Sequence, residues 1–284
     1  MRFSHLMPTR FDLARACRGR ALGGALLAAV LAAGSAAEAA PVRVFAAGSL
    51  SGAMAALMAG SGSAPDTFAK PVFGPAGLLG ERLLKGETAD LFASADLAAP
   101  SRAAAGHPGA LVVPFVRNRM CVAAKPSVGL TAANMLDRML APDLRLATST
   151  PGNDPGGDYA VAVFRRADAL RPGAGKVLTD KALHLVGGPD TMVPIDGRSP
   201  SATIFLGDHA DLFVYYCSSA ASLLKEVPDL TNLAVPEALE VHPVYGLTVL
   251  SDDPAAARFA LFILSQAGQD VLARFGFEPM AAAR

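Results

Sequence analysis

Short apolar clusters recur along this chain, and between them lie stretches in which apolar residues return every three or four positions. The clusters predict buried strands over 42–45, 91–93, 120–123, 144–147, 212–216 and 245–250. The longer-period stretches predict helices over 77–84, 159–167 and 219–225. Pro254 opens a helix through Phe259, Phe262 and Ile263, and 266–277 forms a second amphipathic piece ending at Gly276. Residues 60–63, rich in Gly and Ser, read as a loop. This alternation is the pattern of an α/β protein. The first strand–helix junction carries the most chemistry. Val42, Val44 and Phe45 end a strand, Gly48-Ser49 turn the backbone, and Ser49 is expected to cap a helix starting near Ser51 and running through Met54, Leu57 and Met58. Such a junction builds a ring of free N–H groups that can seat a small anion.

The first residues read as an export address. Arg2, Arg10, Arg15, Arg18 and Arg20 make a basic start, 21–33 is an apolar core, and Ala37-Glu38-Ala39 fits a small-x-small cleavage site. Cys17 precedes the apolar core, so no lipid anchor is expected. Removal of 1–39 takes five Arg from 25 basic residues and Asp12 and Glu38 from 25 acidic ones, which leaves 20 and 23 and a net charge of −3. That balance argues against nucleic acid as a partner. No later segment approaches about 18 uninterrupted apolar residues, so the exported part, enough for one large or two medium domains, is expected to be soluble. Cys121 and Cys217 remain after processing. An oxidising compartment permits a bridge between them, but the plainer reading is two small buried side chains. Neither has a neighbouring His that would suggest a thiol nucleophile or a zinc site.

Three segments together resemble the periplasmic molybdate- and tungstate-binding proteins of ABC transporters. They are Phe45-Ala46-Ala47-Gly48-Ser49-Leu50, the run from Gly86 through Ala89-Asp90 to Ser94-Ala95-Asp96, and Phe262-Ile263-Leu264-Ser265-Gln266-Ala267-Gly268-Gln269 with Phe275-Gly276-Phe277. The resemblance implies a type II periplasmic-binding fold, with two α/β lobes and a ligand cleft between them. Lobe one would hold 40–120 and 241–284, and lobe two 121–240, with the chain crossing near Arg119 to Cys121. It further implies a periplasmic monomer that closes on molybdate or tungstate, needs no cofactor, and delivers its cargo to an ABC permease. Another small oxyanion or an organic acid is the alternative ligand.

The same resemblance assigns the site. Ser49 would offer its hydroxyl and N–H. In Gly74-Pro75-Ala76-Gly77, Ala76 takes a ligand-serine position, so only the N–H groups of Ala76 and Gly77 would remain. Gly156, in Asn153-Asp154-Pro155-Gly156-Gly157-Asp158-Tyr159, would present its N–H. Asp154 either coordinates the metal of the oxyanion directly, as in the archaeal members, or simply caps the following helix. Arg198 would offer a guanidinium or sit in an exposed loop, and Tyr216 matches the tyrosine of lobe two whose hydroxyl donates to the ligand. Five or six charge-assisted hydrogen bonds at about 1.5–3 kcal/mol each give roughly 8–18 kcal/mol gross, and a nanomolar complex requires about 12 kcal/mol net. Catalysis is not expected. Ser49, His107, His184, His209 and His242 could supply a nucleophile and base, but no Gly-x-Ser-x-Gly elbow and no His-x-x-x-His spacing occurs.

Overall fold

The computed structural model describes residues 40–64 and 66–280. The leader expected over 1–39 lies outside the described residues. The chain runs β1 (Val44–Ala47), α1 (Ser51–Gly60), β2 (Val72–Gly74), α2 (Ala76–Leu84), β3 (Leu91–Ser94), α3 (Ala98–Ala104) and β4 (Val112–Arg117). It continues through β5 (Met120–Ala124), α4 (Met135–Leu140), β6 (Leu146–Ser149), α5 (Pro155–Leu170), α6 (Ala174–Lys181), β7 (Leu183–Val186), α7 (Pro200–Leu206), β8 (Leu212–Tyr216), α8 (Ala220–Glu226) and β9 (Thr231–Ala234). It ends with β10 (Val244–Val249), α9 (Pro254–Leu264), α10 (Gln266–Arg274) and β11 (Glu278–Pro279).

Two sheets form two lobes. The first has the order β11-β4-β10-β3-β1-β2 and the second β7-β6-β8-β5-β9. In the first, β1 pairs in parallel with β2 and β3, while β10 enters antiparallel between β3 and β4. In the second, β6 lies parallel to β7 and β8, and β5 runs antiparallel to β8 and β9. Parallel strands covered on both faces need apolar side chains at every position. Accordingly β1 and β3 are buried throughout. Asp90 ties them together, accepting from the Arg43 backbone at 2.8 Å and from its guanidinium at 2.9 and 3.0 Å. Burial opposes ionisation of Asp90, but these bonds from Arg43 win and hold its carboxyl below the usual range.

The lobes are joined by two crossings, Asn118-Arg119 between β4 and β5 and the segment 235–243 between β9 and β10. Arg119 reaches the nearly buried Glu240 at 2.6 and 3.0 Å, and the Asn118 N–H donates to the Pro243 carbonyl at 2.9 Å. The two crossings are thereby bolted side by side. Beside them Cys121 and Cys217 form a disulfide, with Cα atoms 4.9 Å apart. This corrects the plainer sequence reading. Cys121 lies opposite Tyr215 in the β5–β8 ladder, and Cys217 follows β8 closely enough for the sulfurs to meet.

The strand at 212–216 has the bounds that its apolar run predicts. The strand expected over 144–147 lies instead at Leu146–Ser149, because Thr148 and Ser149 extend it as buried polar residues. The helix cap at Ser49 is also corrected. A 3-10 turn, Gly48–Leu50, intervenes after β1, the cap position passes to Leu50, and no side chain caps α1.

Candidate functional site

The carboxyl ends of β1, β2, β6 and β8 meet at one cavity of about 340 Å³. Ligands of open α/β sheets gather at such ends, where loops and helix starts leave donors unpaired. One wall belongs to the first lobe: Gly48, Ser49, Ser51 and Gly52 after β1, and Gly74-Pro75 after β2. The facing wall is built from Ser149 at the end of β6, Asp154 and Gly156 at the start of α5, and Tyr216, Ser218 and Ser219 at the end of β8. Gly187 and Ser199, Pro200 and Ser201 extend it.

Of the residues named from sequence, Ser49, Asp154, Gly156 and Tyr216 come together here. The Ser49 hydroxyl is 2.9 Å from the Tyr245 hydroxyl. Asp154 is the N-cap of α5, and its Oδ1 accepts from Gly156 N–H at 3.1 Å. That N–H is therefore already engaged by the capping carboxylate. Glycine at 156 has a steric reason. A Cβ there would stand 3.3 Å from both Ser149 Oγ and the Tyr216 ring, intruding on the cavity wall. Among the described residues, the hydroxyl of the nearly buried Tyr216 has no hydrogen-bond partner.

The structure does not bring Ala76, Gly77 or Arg198 into the lining. Ala76 and Gly77 form the buried first turn of α2. A Cβ on Gly77 would lie 2.4 Å from the Asn153 carbonyl oxygen, and the same carbonyl accepts from Leu78 N–H at 3.2 Å. Here the first turn of α2 touches the second lobe. Arg198 is exposed in a turn closed by its own N–H to the Ile195 carbonyl at 2.9 Å, and its neighbours Ser199 and Ser201 line the cavity instead.

Sequence reasoning missed Ser149, Ser218, Tyr245 and Asn118. Asn118 is fully buried and donates to the Ser218 hydroxyl at 2.8 Å and the Tyr245 hydroxyl at 3.0 Å. These contacts join residues 100 and 127 positions apart, and no local pattern announces them. The segment Ser94-Ala95-Asp96, part of the resemblance, proves structural. Ser94 donates to Asp96, and Asp96 accepts from Ala99 N–H in the first turn of α3 at 3.1 Å.

Electrostatically the cavity is unusual for an anion site, since among the described residues no Lys or Arg lines it and Asp154 is its sole acidic side chain. Burial pushes the Asp154 carboxyl up, against the lowering effect of hydrogen bonds from Gly156 and Ser149. The phenols of Tyr216 and Tyr245 are likewise raised, first by burial, so both keep their protons. The polar groups that face the interior are thus hydroxyls and amides rather than fixed charge, and apolar side chains such as Val186, Phe213, Leu223 and Phe275 line the rest. Such a lining suits a compact, acceptor-rich solute.

A model of the bacterial extracellular solute-binding protein family matches residues 42–278. Uncharacterized protein PM1146 of Pasteurella multocida (strain Pm70) is 38% identical over 209 residues, which span 73% of this chain and 86% of that protein. Among solved structures, the sulfate-binding protein SubI of Mycobacterium tuberculosis H37Rv is similar with a TM-score of 0.66 at 17% identity, over 85% of this chain and 88% of that one. The periplasmic molybdate-binding protein of Azotobacter vinelandii gives 0.61 at 15% identity, over 86% and 100%. Iron-bound HitA of Pseudomonas aeruginosa gives 0.59 at 17%, over 86% and 88%. At these identities the solved structures speak to the fold, which is the two-lobed one. With its two sheets, its bolted double crossing and a family match over nearly all the described residues, the chain belongs to the bacterial extracellular solute-binding proteins.

Proposed function

We propose that this protein captures a small oxyanion, molybdate or tungstate, between its lobes in the periplasm and passes it as a monomer to an ABC permease. One observation carries the reading: the Tyr216 hydroxyl is buried with no partner beside a cavity whose other polar groups are chiefly serine hydroxyls. A buried donor without an acceptor costs about 1–3 kcal/mol, and an oxyanion oxygen would remove that cost. Ser49 lines the cavity from the other lobe and Gly156 and Asp154 line it from the same lobe as Tyr216, with lobe one taken as 40–120 and 241–284 and lobe two as 121–240. The free edge of the Asp154 carboxyl would either donate a proton to an oxyanion oxygen or enter the coordination shell of the metal. The likeness to a molybdate-binding and a sulfate-binding protein supports oxyanions as the first class to test. The role is binding rather than catalysis.

The cavity volume favours a second reading. A four-oxygen anion fills roughly 120 Å³ at about 30 Å³ per oxygen, well under the 340 Å³ available. A small organic acid would use more of that space. Calorimetry of the exported chain with molybdate, tungstate, sulfate and a set of carboxylic acids separates the two. Heat from molybdate or tungstate at micromolar concentration supports the first, whereas binding confined to organic acids replaces it with the second.

A further inference from the structure

We infer that the cavity has a second compartment, an apolar branch beneath α7 and α8 of the second lobe, which seats the hydrocarbon tail of a monocarboxylic acid while the carboxylate head takes the anion end at Ser49 and Tyr216. This rests on the anion end proposed above and adds to it a further class of solute.

Strand alternation places the branch, because successive side chains of β8 point to opposite faces of its sheet. Tyr216 shares its face with Val214 and packs towards α5, where its ring centroid lies 6.3 Å from that of Tyr159. Phe213 and Tyr215 point the other way, into a separate apolar cluster with Ile204 of α7 and Leu223 of α8. Phe213, Tyr215 and Tyr216 all line the cavity, so it reaches both faces of β8. Phe213 stands three residues back from Tyr216, which carries the branch about 10 Å along the strand at about 3.3 Å per residue. Its floor is the stacked pair of Phe213 and Tyr215, with centroids 5.2 Å apart, and Val186, Pro200 and Leu223 wall it.

The polar groups around this floor are already engaged or face outward. The Tyr215 hydroxyl donates to Asn232 Oδ1 at 2.8 Å, so its ring alone is offered. Ser199 caps α7, its hydroxyl accepting from Ala202 N–H at 3.2 Å. Ser201 is half-buried and Ser222 exposed, which puts them on the solvent side. Among the described residues no Lys or Arg lines the cavity, so a second carboxylate in the branch would be buried without a counter-charge, whereas a hydrocarbon tail gains from burial. Beyond a three-atom carboxylate head, the 340 Å³ cavity holds roughly eight more heavy atoms at about 30 Å³ each.

The test is calorimetry of the exported chain with acetate, butyrate, hexanoate and adipate, and with molybdate as a probe of the anion end alone. Affinity should rise about fourfold per methylene from acetate to hexanoate, or about 200-fold in all, and the heat-capacity change should grow more negative along the series. Adipate, as long as hexanoate but charged at both ends, should bind more weakly than hexanoate. Ser201→Phe fills the branch and should reduce the gain from acetate to hexanoate to below about tenfold; should that chain fail to fold, Ser222→Phe carries the same expectation. Acids that bind without regard to chain length, adipate equal to hexanoate, or a gain unchanged by the substitution overturn the branch and leave the anion end standing. Binding of molybdate with no acid bound does the same. Binding of neither molybdate nor any acid refutes the anion end itself, and the branch falls with it.

Discussion

Tyr216→Phe should make the free protein no less stable and the bound protein much weaker. The hydroxyl is buried and unpaired, so its removal breaks no bond of the free chain and relieves a burial cost of about 1–3 kcal/mol. The ring stays, and with it the edge contacts to Tyr159 and Tyr245, whose centroids lie 6.3 and 5.7 Å away. A hydrogen bond to a charged oxygen is worth about 1.5–3 kcal/mol, so losing it weakens binding by roughly 10- to 150-fold. Paired measurements check both signs: the melting temperature without solute, which should hold or rise, and the calorimetric affinity, which should fall. A lowered melting temperature with unchanged affinity would mean that the phenol serves the core and not the solute.

Further outcomes follow from the same geometry. Gly77→Ala places a Cβ against the Asn153 carbonyl and should keep the lobes apart, at an overpacking cost of about 1–3 kcal/mol; small-angle scattering that still shows full contraction on adding solute would contradict this. Replacing Cys121 and Cys217 by Ser opens a link across 96 residues and should cost about 2–4 kcal/mol in urea unfolding, and a loss below about 0.5 kcal/mol would speak against the bridge. Burial raises the Asp154 carboxyl, and a dianion seated beside it would raise it further, so binding should take up a proton. Affinity for a dianion should therefore decline as pH rises through the raised value, and Asp154→Asn should flatten the profile. Folding carries the same sign: above the ordinary aspartate value of about 3.9 the unfolded chain has released a proton that the folded chain still holds, so this group's contribution to stability falls with rising pH. A pH-independent affinity would exclude Asp154 from the chemistry.

The parts of the fold legible in sequence were those with strong local patterns. Buried strands such as Leu91–Ser94 and Leu212–Tyr216 appear through the apolar runs 91–93 and 212–216, and Asp253-Pro254 marks the start of a helix through a cap that accepts from Ala255 N–H. Weak patterns hid the rest. Val112–Arg117 contains Pro114, which demotes a strand in any local reading, yet it is held between β10 and β11. Thr231–Ala234 is a half-buried edge with mixed polarity, and Ala98–Ala104 carries Pro100 within its first turn. At the cavity, the turns at Ser49, Gly156 and Tyr216 were readable because each closes a strand or opens a helix. The hinge network was not, since Asn118 and Tyr245 acquire meaning only when two crossings lie side by side. Arg198 illustrates the converse. A charge attracts a functional reading in sequence, but in space the backbone turns it outward and presents Ser199 and Ser201 instead.

The most direct measurement is anomalous diffraction from a crystal of the exported chain grown with tungstate. A single heavy-atom peak should lie between Ser49 and Tyr216, with an oxygen within hydrogen-bonding distance of the Tyr216 hydroxyl. A peak elsewhere on the molecule, or a cleft occupied by an organic acid while tungstate is in excess, would contradict it.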